Sequence, residues 1–120
     1  MHAVGELGRE QIARVDTTDQ LADILGMPEH LRDAVWKAEA AALETVDTSG
    51  GLVVAGMGGS SIGGRLARAI LGDTCSRPVF AARSYELPPW TTPETTVLCS
   101  SYSGNTEETL ACYEAAGALG

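Results

Sequence analysis

Lysine is almost missing from this chain. Lys37 is the only one in 120 residues, 16 side chains are acidic, and the formal net charge is -8. A nucleic-acid surface needs clustered Lys and Arg to release counterions from many phosphates, so this balance argues against one. Long apolar runs are absent too. No segment approaches the roughly 20 uninterrupted apolar residues of a membrane-spanning helix, and Met1-His2-Ala3-Val4-Gly5-Glu6 lacks the basic and then apolar pattern of a signal peptide. The expected address is the cytoplasm, with no membrane partner. Cysteine is sparse: Cys75, Cys99 and Cys112 are odd in number, widely spaced and form no Cys-x-x-Cys pair. Neither a disulfide framework nor a zinc site follows from them; they are expected to be reduced thiols, with Cys99 in the core. His2 and His30 stand alone, without carboxylate or thiol partners at ligand spacing, so surface positions are expected and no metal site is.

What is present is a globular composition, 44% hydrophobic and 20% charged, about enough for one small domain. The pattern divides it into a helical segment, residues 1–50, and an alternating strand-and-helix segment, residues 51–120, with the change at Thr48-Ser49-Gly50-Gly51. In the first segment Thr17-Thr18-Asp19-Gln20 has the spacing of a capping box. Leu21, Ile24 and Leu25 follow on one helical face, Gly26 is expected to stop that helix and Pro28 to start another. Leu31, Ala34, Val35, Ala38 and Ala42 then recur at helical spacing, and Trp36 and Trp90 are expected to be packing residues. In the second segment Leu52-Val53-Val54-Ala55 is a short apolar run, as a strand buried on both faces requires. Further strands are predicted at Pro78–Ala82 and Thr95–Cys99, and helices from Ile62 to near Gly72 and from about Asn105 to Leu119. The alternation predicts an α/β fold, a doubly wound parallel sheet, here with three strands and at least one exposed edge. A full domain of that kind has about five strands, so a truncated one is expected.

Two turns carry the chemistry. Gly56-Met57-Gly58-Gly59-Ser60-Ser61-Ile62-Gly63-Gly64 follows the first strand, where glycines admit positive φ and let a ligand approach the backbone. The plain alternative is a tight strand-to-helix turn with no ligand. No Gly-Lys-Ser/Thr follows, which excludes a Walker phosphate loop, and Ser61 stands where a dinucleotide fingerprint wants its third glycine. Arg83 occupies the place of the acidic residue that would bind a ribose, so NAD fits poorly and an NADP-dependent oxidoreductase is a weak rival. The second turn, Ser101-Tyr102-Ser103-Gly104-Asn105-Thr106-Glu107-Glu108-Thr109, gathers hydroxyls at a predicted helix start, where free N–H groups and the helix dipole favour an anion. Ordinary capping, with Asn105 and Glu108 at box spacing and Glu107 and Glu108 favoured by the dipole, explains one or two of these residues. It does not require both Ser101 and Ser103. Two such turns after two strands point to one phosphorylated ligand, a sugar phosphate rather than a dinucleotide, and no cofactor is expected.

Together, Gly56–Gly64 and Ser101–Leu110 resemble the bifunctional phosphoglucose/phosphomannose isomerases, which are built from two sugar isomerase (SIS) domains. Arg83-Ser84-Tyr85-Glu86-Leu87-Pro88 looks like the segment after that family's second strand, and the resemblance covers about residues 20–120. It implies a flavodoxin-like SIS fold and an aldose–ketose isomerase interconverting glucose 6-phosphate or mannose 6-phosphate and fructose 6-phosphate. Gly59, Ser60, Ser101, Ser103 and Thr106 would hold the substrate phosphate. The family's catalytic Glu, a His contributed across a homodimer interface and a Lys lie further along than residue 120. No catalytic residue is therefore assigned in this chain, which is expected to be inactive alone. One departure is Arg65, where the family usually has an acidic residue; it is read as a solvated arginine, or else as positive charge brought toward the ligand. A SIS domain also serves as a sugar-phosphate sensor, but the acidic N-terminal helices lack a basic recognition face for DNA.

Overall fold

A computed structural model describes residues 8–120; His2 and the stretch read for a signal peptide lie outside them. The chain divides into two compact units, Met1–Glu44 and Thr45–Gly120. Among the described residues of the first unit there are two helices, α1 (Arg9–Val15) and α2 (Gln20–Ala40). The start of α2 departs from the capping-box expectation. Asp16 supplies the cap: its two carboxylate oxygens accept the N–H groups of Gln20 at 2.7 Å and Leu21 at 2.8 Å. Asp19, the residue before the helix, has φ 58° and makes no side-chain cap. Gly26 does not stop the helix and Pro28 does not begin one; both lie inside α2. A proline there removes one backbone hydrogen bond, and the flanking Leu, Ala, Glu, Arg and Lys residues, good helix formers, carry the chain across it. The helix ends before Ala42, whose φ is 46°. Trp36 is exposed rather than packed, as is His30.

The second unit is a three-stranded parallel sheet with helices, an α/β arrangement. Strands β1 (Leu52–Ala55), β2 (Val79–Ala82) and β3 (Thr96–Cys99) lie in the order β2-β1-β3, with Val54 opposite Ala81 on one side and Leu98 on the other. The segment before β1 is tied to the same unit by the Thr96 hydroxyl, which donates to the carbonyl of Asp47, and by Gly50 N–H, which donates to Glu94. The central strand is buried as its apolar run predicts: Val53, Val54 and Ala55 are all buried.

Period-two alternation sends Val53 and Ala55 to one face and Val54 to the other. On the first face Val53, Ala55 and Ala82 form a core with Cys112 of α4 (Glu107–Leu119), and Leu87, Val97 and Cys99 pack against it. Cys112 is the fully buried thiol, and Cys99, expected in the core, is half-buried at its margin. On the second face Gly64 of α3 (Ile62–Leu71) lies against Val54. One helix thus covers each face. The helix α3 ends at Gly72 as the sequence predicts, and the Gly72 N–H still donates to the Arg68 carbonyl at 2.8 Å. Trp90 packs edge-on against Phe80, ring centroids 6.2 Å apart. No helix among the described residues is long and apolar enough to cross a membrane.

Candidate functional site

Parallel strands place their carboxyl ends at one edge, so the turns that leave the neighbouring strands β1 and β3 emerge side by side. Gly56 is where they touch. Its N–H donates to Ala82 at 3.1 Å, Ser100 N–H donates to Ala55 at 2.8 Å, and a side chain on Gly56 would stand 2.9 Å from the Ser60 carbonyl oxygen and 3.0 Å from that of Ser100. Only a hydrogen fits between the two turns.

The turn after β1 continues as a short 3-10 turn, Gly58–Ser61. Gly58 has φ 53°, a conformation that disfavours a side chain. Nothing lies within 4 Å of the Cβ positions of Gly58, Gly59 and Gly63, so the backbone here is open to an approaching molecule. The two serines divide. Ser61 is buried and its hydroxyl donates to the Gly58 carbonyl at 2.8 Å, which closes the turn, whereas Ser60 is half-exposed beside the exposed Gly59.

The turn after β3 brings three hydroxyls together. Ser101 Oγ is 2.9 Å from Thr106 Oγ1, and Ser103 Oγ is 3.4 Å from each of the others. Two backbone bonds hold this triangle: Gly104 N–H donates to Ser101 Oγ at 3.0 Å and Asn105 N–H to Ser103 Oγ at 3.2 Å. Gly104, with φ 69°, makes the bend. The capping alternative is not what the structure contains. Thr106, not Asn105, precedes the helix, α4 begins at Glu107 rather than Asn105, and no side chain caps its first turn. The hydroxyl that would ordinarily cap is turned to its neighbours. Uncapped N–H groups and three convergent hydroxyls make a donor-rich cluster suited to an oxyanion.

Of the residues read as site residues, Ser101, Ser103 and Thr106 thus form one cluster. Gly59 and Ser60 lie on the adjoining turn at the same sheet edge, with no hydrogen bond to that cluster among the described residues. Tyr85 was not singled out by the motifs: its hydroxyl donates to Glu107 at 3.3 Å and links the segment after β2 to the first turn of α4. The charge of Glu108, then burial and Glu107, holds its phenol pKa above 10.0. Ser84 adds a second link, since its carbonyl accepts the Cys112 thiol at 3.3 Å. The signal for both lay in the segment Arg83–Pro88, but it names no partner on α4. Among the described residues no cluster of three or more His, Cys, Asp or Glu side chains stands ready for a metal ion.

Sequence comparison agrees with the resemblance drawn from the two motifs. The chain is 51% identical over 69 residues to the bifunctional phosphoglucose/phosphomannose isomerase of Caldicellulosiruptor bescii, a match covering 58% of this chain and 20% of that protein. It is 46% identical over 67 residues to the protein of the same name from Aquifex aeolicus, covering 55% and 21%. A third, from Thermoplasma volcanium, is 43% identical over 65 residues, covering 54% and 20%. The matched stretch spans about a fifth of the length of these curated relatives. No protein-family model and no solved structure matches the chain.

Proposed function

We propose that this chain supplies the phosphate-binding loops of a sugar-phosphate aldose–ketose isomerase, acting between glucose 6-phosphate or mannose 6-phosphate and fructose 6-phosphate. The observation that carries the reading is the meeting of Ser101, Ser103 and Thr106 hydroxyls at the uncapped start of α4, and the names of the relatives supply the reaction. The order β2-β1-β3 is that of the first three strands of a flavodoxin-like doubly wound sheet, the fold proposed here for a SIS domain beginning at about residue 51. In such sheets ligands sit outside the carboxyl ends of the strands where the chain order reverses, between β1 and β3. Both turns leave the sheet there.

In this reading the three hydroxyls and the first N–H groups of α4 grip the phosphate. The open backbone at Gly59 and the hydroxyl of Ser60 close over it from the β1 side. Aldose–ketose exchange moves a proton between adjacent carbons through an enediolate, and the phosphate grip fixes the sugar so that a base reaches the right carbon. The groups that move protons belong to the rest of the parent protein, a cytoplasmic homodimer, and the helical segment that holds α1 and α2 precedes the SIS domain.

The test is kinetic. In the full-length parent, Ser101→Ala/Ser103→Ala removes two hydrogen bonds to a charged ligand, each about 1.5–3 kcal/mol, so KM for fructose 6-phosphate rises at least about tenfold. An unchanged KM refutes the assignment, and binding without turnover by the full-length parent would make it a sensor instead of an enzyme.

A further inference from the structure

Three of the four basic side chains in the second unit converge on one pocket. Arg65, Arg68 and Arg83, with Ala69, Ala81 and Asp73, line a cavity of about 480 Å³, and the fourth cation of the unit, Arg77, is not part of that lining. That volume falls within the roughly 300–1,000 Å³ typical of small-molecule sites. The convergence follows from two periodicities. Arg65, Arg68 and Ala69 stand at i, i+3 and i+4 on one face of α3. Ala81 lies on the Val54 face of the sheet, the face α3 covers, and Arg83 follows it by two residues. The other side chains of the lining besides Asp73 are two alanines, Ala69 and Ala81, whose small size leaves room beside the guanidinium groups.

Among the described residues the only ion pairs are Arg32–Glu29 and Lys37–Asp33, both on α2, so none of the three arginines has a carboxylate of a described residue within bridging distance. Asp73, the one acid in the lining, lies beyond the end of α3, two helical turns from Arg65. Three unpaired guanidinium forks on one hollow repel one another unless an anion joins them, and their planar donors match phosphate oxygens in pairs. Asp73 at the far end accepts hydroxyl or amine protons.

We propose that this hollow is a second anion site, on the β2 side of the sheet, taking a small phosphate-bearing molecule: its phosphate at Arg65, Arg68 and Arg83 and a hydrogen-bond donor at Asp73. It is distinct from the hydroxyl cluster, which lies on the β3 side of β1, and does not depend on the function proposed for that cluster. A ligand here adjoins the first site through Arg83, because the preceding residue, Ala82, accepts the N–H of Gly56.

Calorimetric titration of the full chain with sodium pyrophosphate at low salt tests it, with Ser101→Ala/Ser103→Ala introduced to silence the first site. Pyrophosphate still binds this variant. Adding Arg65→Gln/Arg68→Gln weakens that binding at least about tenfold, and Arg65→Lys/Arg68→Lys, which keeps charge but loses the forks, gives an intermediate loss. All these arginines are exposed, and circular dichroism checks that each variant folds; if the glutamine pair does not, Arg83→Gln replaces it. Equal affinity with and without the arginines overturns the proposal. So does a surface that ignores pyrophosphate and binds a poly-glutamate peptide, which would mark a docking patch for an acidic protein segment.

Discussion

Gly64 lies so close to Val54 that a side chain on the glycine would start 2.7 Å from the valine Cβ and 2.9 Å from its Cγ1. The contact sets how near α3 comes to the central strand, and with it the placement of the glycine turn that joins them. Gly64→Ala forces α3 away from the sheet. The alanine gains up to about 1 kcal/mol in helix propensity, but overpacking a tight contact costs about 1–3 kcal/mol, so the net expectation is a loss. Gly63→Ala is the control, since nothing stands within 4 Å of its Cβ position, and it is expected to be neutral or stabilising by up to about 1 kcal/mol. Urea unfolding of the two variants decides the point; a Gly64→Ala protein as stable as Gly63→Ala would show that the helix shifts at no cost.

The sheet was legible for a simple reason. Leu52–Ala55 and the runs at Val79 and Thr96 are short, apolar and bounded by turn residues, and burial against helices on both faces permits little else. The first unit was less legible because its signals are local and weak. Gly26 and Pro28 read as punctuation, yet α2 runs through both, with strong helix formers on either side and the Asp16 carboxylate at its start. The hydroxyl cluster was visible in composition, but its geometry was not. Nothing in the string Ser101–Thr109 says that Thr106 turns its hydroxyl to Ser101 and leaves the helix start open. The arginine hollow needed the register of β2 against β1, which a sequence of separate elements does not contain.

Thr106 separates capping from ligand binding. Its hydroxyl contacts Ser101 and Ser103 and caps nothing. Thr106→Val therefore costs no more than about 1 kcal/mol of stability, the worth of one ordinary hydrogen bond. Thr106→Asp installs a strong capping residue, so stability is kept. Its carboxylate also faces the place where an anion would sit. Titration of the full chain with inorganic phosphate, followed by amide resonances of the α4 start, is expected to show affinity about tenfold lower for the valine variant, near the worth of one hydrogen bond, and lower still for the aspartate. A phosphate response untouched by Thr106→Asp would place the anion elsewhere.

The thiols of buried Cys112 and half-buried Cys99 give the fold an alkaline weakness. Burial pushes the Cys112 pKa above the ordinary thiol value of 9.0, with the nearby Cys99 adding to the effect, and burial raises Cys99 in the same direction. The folded chain therefore holds these protons more tightly than the unfolded chain. Their contribution is fully present below the unfolded value and is lost as pH rises through the folded one, because the unfolded state then binds fewer protons. Tyr85, raised beside Glu108, acts in the same direction above 10.0. The midpoint of urea unfolding should be level between pH 7 and 8.5 as far as these groups are concerned, and fall beyond about pH 9. Cys112→Ala is expected to shallow that fall while lowering stability at neutral pH. Thiol reagents give an independent reading: exposed Cys75 reacts without denaturant, whereas Cys112 waits for unfolding. Equal reaction rates for the two in the native protein would mean that α4 does not seal Cys112 against the sheet.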